Sequence, residues 1–276
     1  VFRNIPNKFF LTKAFLQLSL AFQFLTIIPL PFSNRRHREI NDESIIGKCS
    51  AYFPLVGLFI GVLTASIYLF FISLLPYDIA SALVIAVMVI ITGGFHLDGV
   101  SDTFDALAAR KPIAQKLEIM KQGSAGPIGV SAVVLTLLIK FALLKSLIVM
   151  GSDDLIYLSV LFPVIGRWCA VCALFYGKSA RADGLGALFI RYTGAVELII
   201  STVILLFAVI FLNLYTFGFT FYLILNPIAI ILFFYIGVFF TVKFFHGKFN
   251  GLTGDNLGFI IEFNEILFLL AYQVYN

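Results

Sequence analysis

The feature that most restricts this chain is the recurrence of apolar runs long enough to cross a bilayer. A spanning helix needs about 20 apolar residues. Seven stretches approach or exceed that length: 51–75, 78–95, 126–150, 155–176, 195–216, 218–243 and 256–275. The expected fold is therefore all-α, a polytopic integral membrane bundle of about seven transmembrane helices forming a single domain over 1–276. An earlier stretch, 9–32, is apolar but carries Lys13, Gln17, Gln23, Pro29 and Pro31. It reads as an interfacial or re-entrant segment rather than a crossing. The two prolines also stand where a cleavable signal would need small residues.

Composition agrees. The chain is 61% hydrophobic and 12% charged, with mean hydropathy +1.02, whereas a soluble domain is nearer half apolar and a quarter charged. The net charge of +4 comes without a basic run of the kind that binds nucleic acid. It is explained by where the Lys and Arg fall. Loop 33–48 holds Arg35, Arg36, Arg38 and Lys48; connection 96–123 holds Arg110, Lys111, Lys116 and Lys121. Loop 177–193 holds Lys178, Arg181 and Arg191, and loop 244–255 holds Lys248. The connections between these, at 75–77, 151–154 and 216–218, hold no Lys or Arg. The positive-inside rule then puts the basic connections in the cytoplasm and the C-terminus outside. The three cysteines (Cys49, Cys169, Cys172) are too few for a disulfide framework, and Cys169 and Cys172 read as small packing residues in an apolar helix.

Against this background the stretch Gly93-Gly94-Phe95-His96-Leu97-Asp98-Gly99-Val100-Ser101-Asp102-Thr103-Phe104-Asp105 stands out. Asp98, Asp102 and Asp105 are spaced i, i+4 and i+7. At about 100° per residue they share one helical stripe within roughly 60° of arc. A helix start explains Asp98, since Asp favours the positive end of the helix dipole, but not two more carboxylates on the same stripe. Like charges held this close need a cation among them. An all-oxygen ligand set suits Mg²⁺, with Mn²⁺ a substitute, and Mg²⁺ usually arrives with substrate phosphates. The expectation is an Asp-rich helix at the cytoplasmic membrane edge that handles phosphate.

Other residues are candidates for the same site. Arg110 and Lys121 could hold phosphate oxygens, or simply solvate a cytoplasmic helix. His96 reads as a proton-handling residue, a metal ligand or a packed interfacial histidine. Arg167, inside the fourth span, is a functional suspect by default, with pairing to a Glu as its ordinary explanation. Lys140 and Lys145 are expected to snorkel toward the outer surface. Arg181, in Ser179-Ala180-Arg181-Ala182-Asp183-Gly184-Leu185-Gly186, is a second anion-binding candidate. Gly251-Leu252-Thr253-Gly254-Asp255-Asn256-Leu257-Gly258 leads into Glu262 and Glu265. Asp255 and Glu262 share a face at the start of the last span, so this reads as a second acidic element, with Asp255 a metal ligand and Asp255 or Glu262 a base.

These blocks, together with Phe22–Pro31, Tyr52–Gly57 and Leu117-Glu118-Ile119-Met120, occur in an order that closely resembles the cobalamin synthase (adenosylcobinamide-GDP ribazoletransferase) family over nearly the whole chain. The resemblance implies a Mg²⁺-dependent enzyme of the bacterial cytoplasmic membrane. It would join adenosylcobinamide-GDP to α-ribazole or α-ribazole 5′-phosphate, release GMP, and associate with other cobamide-assembly enzymes. Within that frame Asp98, Asp102, Asp105 and Asp255 are expected to hold metal, Asp98, Asp255, Glu262 and His96 to take part in chemistry, and Arg110, Lys121, Arg167 and Arg181 to face substrate. The chain departs from the family pattern at Ala106, where Gly is usual, and in the turn 121–126. A fainter likeness to CDP-alcohol phosphotransferases in 102–110 keeps a lipid-directed CDP-alcohol or prenyl-diphosphate transferase as the alternative. An ion-coupled transporter is the alternative of another class, expected to carry its charges near the bilayer midplane.

Overall fold

The computed structural model describes residues 6–29, 43–150, 152–219 and 222–275, and among them it is helical throughout, with no strand. In chain order the helices are α1 (Pro6–Leu25), α2 (Glu43–Lys48), α3 (Phe53–Ile72), α4 (Tyr77–Thr92), α5 (Phe95–Ala108), α6 (Ile113–Ile119), α7 (Pro127–Met150), α8 (Ser152–Tyr176), α9 (Leu185–Tyr192), α10 (Ala195–Phe217), α11 (Tyr222–Phe249) and α12 (Gly254–Tyr275). A 3₁₀ turn over Cys49–Tyr52 joins α2 to α3.

Six helical stretches are long and apolar enough to cross a membrane: Glu43–Ile72, Pro127–Leu147, Asp153–Tyr176, Ala195–Phe217, Pro227–Phe249 and Gly254–Val274. The paired α4 and α5 make a seventh if counted as one broken span. The expected polytopic bundle is thus present. α1 is a helix over the stretch expected to be interfacial or re-entrant. Residues 30–42, with Arg35, Arg36 and Arg38, lie outside the described residues.

The second predicted span, 78–95, is corrected. α4 stops at Thr92, and α5 leaves it at 88°. Gly93 and Gly94 have φ of 65° and 71°. Two successive left-handed residues cannot continue a right-handed helix, and only glycine adopts that pair at little cost. The apolar run therefore contains an elbow that hydropathy does not register. The predicted loop 244–255 is also corrected, because α11 runs on to Phe249. Phe245 and Phe249 are buried to 1% and 0% exposure, so packing holds the helix together through the Lys and His of this segment. It ends where Asn250 takes φ of 60°.

The bundle is built around α8. That helix packs against α3, α7, α10, α11 and α12, and 94% of its apolar window is buried. Gly57 and Gly61 of α3 lie directly on the α8 backbone at Pro163 and Val160, so the two helices approach to a distance that no larger residue would permit. Cys169 and Cys172 are buried within α8. Peripheral helices show the opposite pattern. On α10, Val196, Ile199, Val203, Phe207 and Phe211 are all more than half exposed. Their three- and four-residue spacing lines one face of the helix, which is the lipid-facing stripe of a membrane bundle.

Candidate active site

The site is assembled from the starts of α5 and α12. Residue choice brings the two backbones together. A Cβ added to Gly99 would lie 2.5 Å from the Asp255 carbonyl oxygen, and one added to Gly258 would lie 3.1 Å from the His96 backbone. The glycines of the two motifs thus serve close helix packing. The α12 N-terminus is capped by reciprocal bonds: Thr253 N–H donates to Asn256 Oδ1 (3.1 Å) and Asn256 N–H donates to Thr253 Oγ1 (3.3 Å). Asn256 Nδ2 then donates to Thr103 Oγ1 on α5 (3.1 Å), and Phe104 meets Phe259 edge-on.

This packing gathers the acids. Asp98 is exposed, Asp102 is buried and Asp255 lies between the two. Asp102 carries the repulsion of Asp98, Asp255 and Asp105 together, and Arg181 opposes it. Arg181 reaches the site because its loop is stitched to the one before α12. Ala180 N–H donates to Leu252 O (2.9 Å) and Leu252 N–H donates to Lys178 O (2.8 Å). From there Arg181 Nη2 stands 3.6 Å from Asp255 Oδ2 and donates to Leu117 O (3.2 Å). Among the described residues, Asp255 Oδ2 and Arg181 Nε accept or donate no hydrogen bond. The Leu117–Met120 motif is placed by the same contacts, with Met120 buried and its Sδ 3.7 Å from Thr253 Oγ1.

Asp105 has a different occupation. Its carboxylate accepts from Gly126 N–H at Oδ2 (2.6 Å) and from Gly129 N–H at Oδ1 (2.8 Å), so it caps α7 from a neighbouring helix. Gly126 and Gly129 are packed against this carboxylate, which ties the divergent 121–126 turn to α5. Ala106 is fully buried beside it. Arg110 and Lys121 are exposed on the connection that carries α6. Among the described residues no group of three or more His, Cys, Asp or Glu side chains is already arranged to hold a metal ion. The chemistry of the donors fits a hard divalent cation nonetheless. They are oxygen-only, one Asp255 oxygen has no hydrogen bond, and three acids repel at Asp102.

The remaining predicted residues lie in a separate buried cluster. Arg167 Nη1 donates to Glu265 Oε1. Lys140 Nζ donates to Glu262 Oε2 and to Glu265 Oε2, both at 2.6 Å. His96 Nδ1 stands 3.5 Å from Arg167 Nη2 and 3.8 Å from Glu262 Oε1. The expectation that Lys140 snorkels is overturned: it is 4% exposed, because two carboxylates on α12 hold it inside. Lys145 does reach the surface, 2.8 Å from Asp78. The structure therefore joins Asp98, Asp102, Asp255 and Arg181, and separates them from His96, Arg167 and Glu262. Sequence reading offered Arg167 as the partner of a Glu, which the structure shows, but it sent Lys140 to the outer surface. The signal available was a Lys in the middle of a 24-residue apolar helix, a depth that calls for a partner.

The helices and the acidic, oxygen-rich cluster at the starts of two of them define a multi-pass helical membrane protein with one candidate site. The particular family follows from comparison with known proteins. The family model described as cobalamin-5-phosphate synthase matches residues 17–273. The adenosylcobinamide-GDP ribazoletransferase of Thermodesulfovibrio yellowstonii is 36% identical over 260 residues, covering 92% of this chain and 94% of that protein. The enzyme of the same name from Geotalea daltonii is 35% identical, with 91% and 94% covered. That from Clostridium acetobutylicum is 33% identical, with 93% and 95% covered. No solved structure matches. The chain belongs to the cobalamin-5-phosphate synthase family and is a transferase of cobalamin synthesis.

Proposed function

We propose that this enzyme joins adenosylcobinamide-GDP to α-ribazole or its 5′-phosphate, giving adenosylcobalamin or its phosphate and GMP. A ribose hydroxyl oxygen bonds to the phosphorus attached to cobinamide, and the bond from that phosphorus to the GMP oxygen breaks. The hydroxyl proton passes to a carboxylate, for which Asp255 is placed best, since one of its oxygens has no hydrogen bond. Asp98, Asp102 and Asp255 would hold Mg²⁺ or Mn²⁺, and a bound metal there would offset the charge of the diphosphate. Arg181 faces the same acids and is assigned to the departing phosphate. Exposed Arg110 and Lys121 form the rim that meets the substrate first. The observation that carries this reading is the packing of Gly99 against Asp255, which sets the acids of two motifs in one mouth.

The basic connections support a site on the cytoplasmic face of a bacterial cytoplasmic membrane, with the C-terminus outside. The test is GMP release from adenosylcobinamide-GDP and α-ribazole by protein in liposomes, first with Mg²⁺ and then with chelator. Mg²⁺-dependent GMP, together with a corrinoid bearing the lower base, is expected. Folded protein that makes neither product would overturn the proposal.

A further inference from the structure

One cluster of buried charges is drawn from four helices. His96 is on α5, Lys140 on α7, Arg167 on α8, and Glu262 and Glu265 on α12. None of these residues is more than 7% exposed. With a neutral His96 the set sums to zero: two cations, two carboxylates. Burying four charges in a bilayer-spanning bundle is expensive even when they pair, and apolar residues of the same size would hold four helices together as well. What the charges add to apolar packing is direction: a bidentate arrangement around Glu265 has one geometry.

The geometry in question is that of the acid-bearing helices. His96 lies two residues before Asp98 on α5, and Glu262 lies two turns after Asp255 on α12. The α12 backbone presses on both neighbours at small residues. A Cβ on Gly166 would lie 2.7 Å from Glu265 Cγ and 3.0 Å from Ile261 O, and Gly258 rests on the His96 backbone. The far end of α5 is fixed separately, by Asp105 on the start of α7. α5 begins at a glycine elbow and has no straight continuation to hold it from above. Its acids are placed by what packs along it: α12 at Gly99 and Thr103, α7 at Asp105, and the buried charges at its His96 end.

We infer that Lys140, Arg167, Glu262 and Glu265 form a charge clamp that sets α12 against the His96 end of α5, which makes Lys140 a positioning residue for the reaction. The clamp gives Glu262 and Arg167 this work in place of contact with substrate. The inference rests on the proposed transferase reading only for its activity readout. The test compares wild type with Lys140→Met, with Lys140→Arg and with the charge-balanced Lys140→Met/Glu262→Gln pair, in liposomes. The readouts are amide hydrogen exchange over 95–108 and GMP release. The double variant keeps the buried charge at zero and remains folded if Lys140→Met does not. Expected are lost protection in α5 and a kcat lower by about tenfold to a hundredfold, with KM for adenosylcobinamide-GDP little changed and Lys140→Arg near wild type. Folded variants with wild-type α5 protection would overturn the clamp, as would a lost kcat without any change in exchange. If wild type releases no GMP while α5 still loses protection in the variants, the transferase reading fails and the clamp stands.

Discussion

Two groups of charges straddle α5 and α12, and they differ in what they lack. The inner group is balanced: Lys140 and Arg167 meet Glu262 and Glu265 within hydrogen-bonding distance, and almost nothing of it is exposed. The outer group is unbalanced: among the described residues, Asp98, Asp102 and Asp255 face one cation, Arg181. A balanced buried group has spent its electrostatic energy on the fold. An unbalanced one holds repulsion that a cationic ligand relieves. The same residue types, a few helical turns apart, are thus neutralised in one place and left in mutual repulsion in the other. The inner group also shows why depth alone is a poor guide to transport. An ion-coupled transporter would carry its charges inside the bundle, but those inside this bundle are committed to one another.

Each half of that contrast can be broken separately. Asp102→Asn is expected to have the largest effect, costing several kcal/mol of catalysis, about a thousandfold in GMP release. It should leave thermal stability in detergent equal or higher, because three carboxylates repel the charge it removes; a destabilised protein would place Asp102 with the inner group. Glu265→Gln should do the reverse, and destabilise by about 3–5 kcal/mol in the same melt, since Arg167 and Lys140 lose their shared partner. Gly99→Ala forces a methyl group against the Asp255 carbonyl. It should cost about 1–3 kcal/mol of stability together with turnover, linking packing to site geometry. Asp105→Asn sharpens the comparison within the Asp stripe. It weakens two bonds to α7 worth about 1–3 kcal/mol, yet Mn²⁺ affinity measured by electron paramagnetic resonance should stay at the wild-type value. A drop in that affinity would return Asp105 to the metal set. The smallest effect is expected for Arg110→Gln at the exposed rim: unchanged folding, and a KM for adenosylcobinamide-GDP raised about threefold at low salt and less at high salt, as screening predicts.

Much of this was legible without coordinates. Apolar run length located the spans to within a few residues, except where α11 continues to Phe249 and where α4 breaks at Gly93-Gly94. Both exceptions come from properties that hydropathy does not carry, namely the packing of Phe245 and Phe249 and the sign of φ. The acids were legible because helical spacing is a local property, and Asp98, Asp102 and Asp105 do share a helix. Their separate fates were not. That Asp105 caps α7 while Asp102 faces Asp255 depends on partners far along the chain. Arg181 was a candidate by its charge alone, and its meeting with Asp255 depends on the Ser179–Leu252 bridge.

The sequence by itself determined the solvent this protein lives in, its helical class, its family and the residue types of its site. Composition, period and local motif are enough for these, since each is written within a short window of chain. The tertiary structure decided which charges neutralise one another and which are left in mutual repulsion. Lys140 shows the reason most plainly: in sequence it is a lone cation in an apolar helix, and only the approach of α12 turns it into the partner of two carboxylates. Electrostatic energy depends on distance in space, and distance in space between remote segments is what folding supplies.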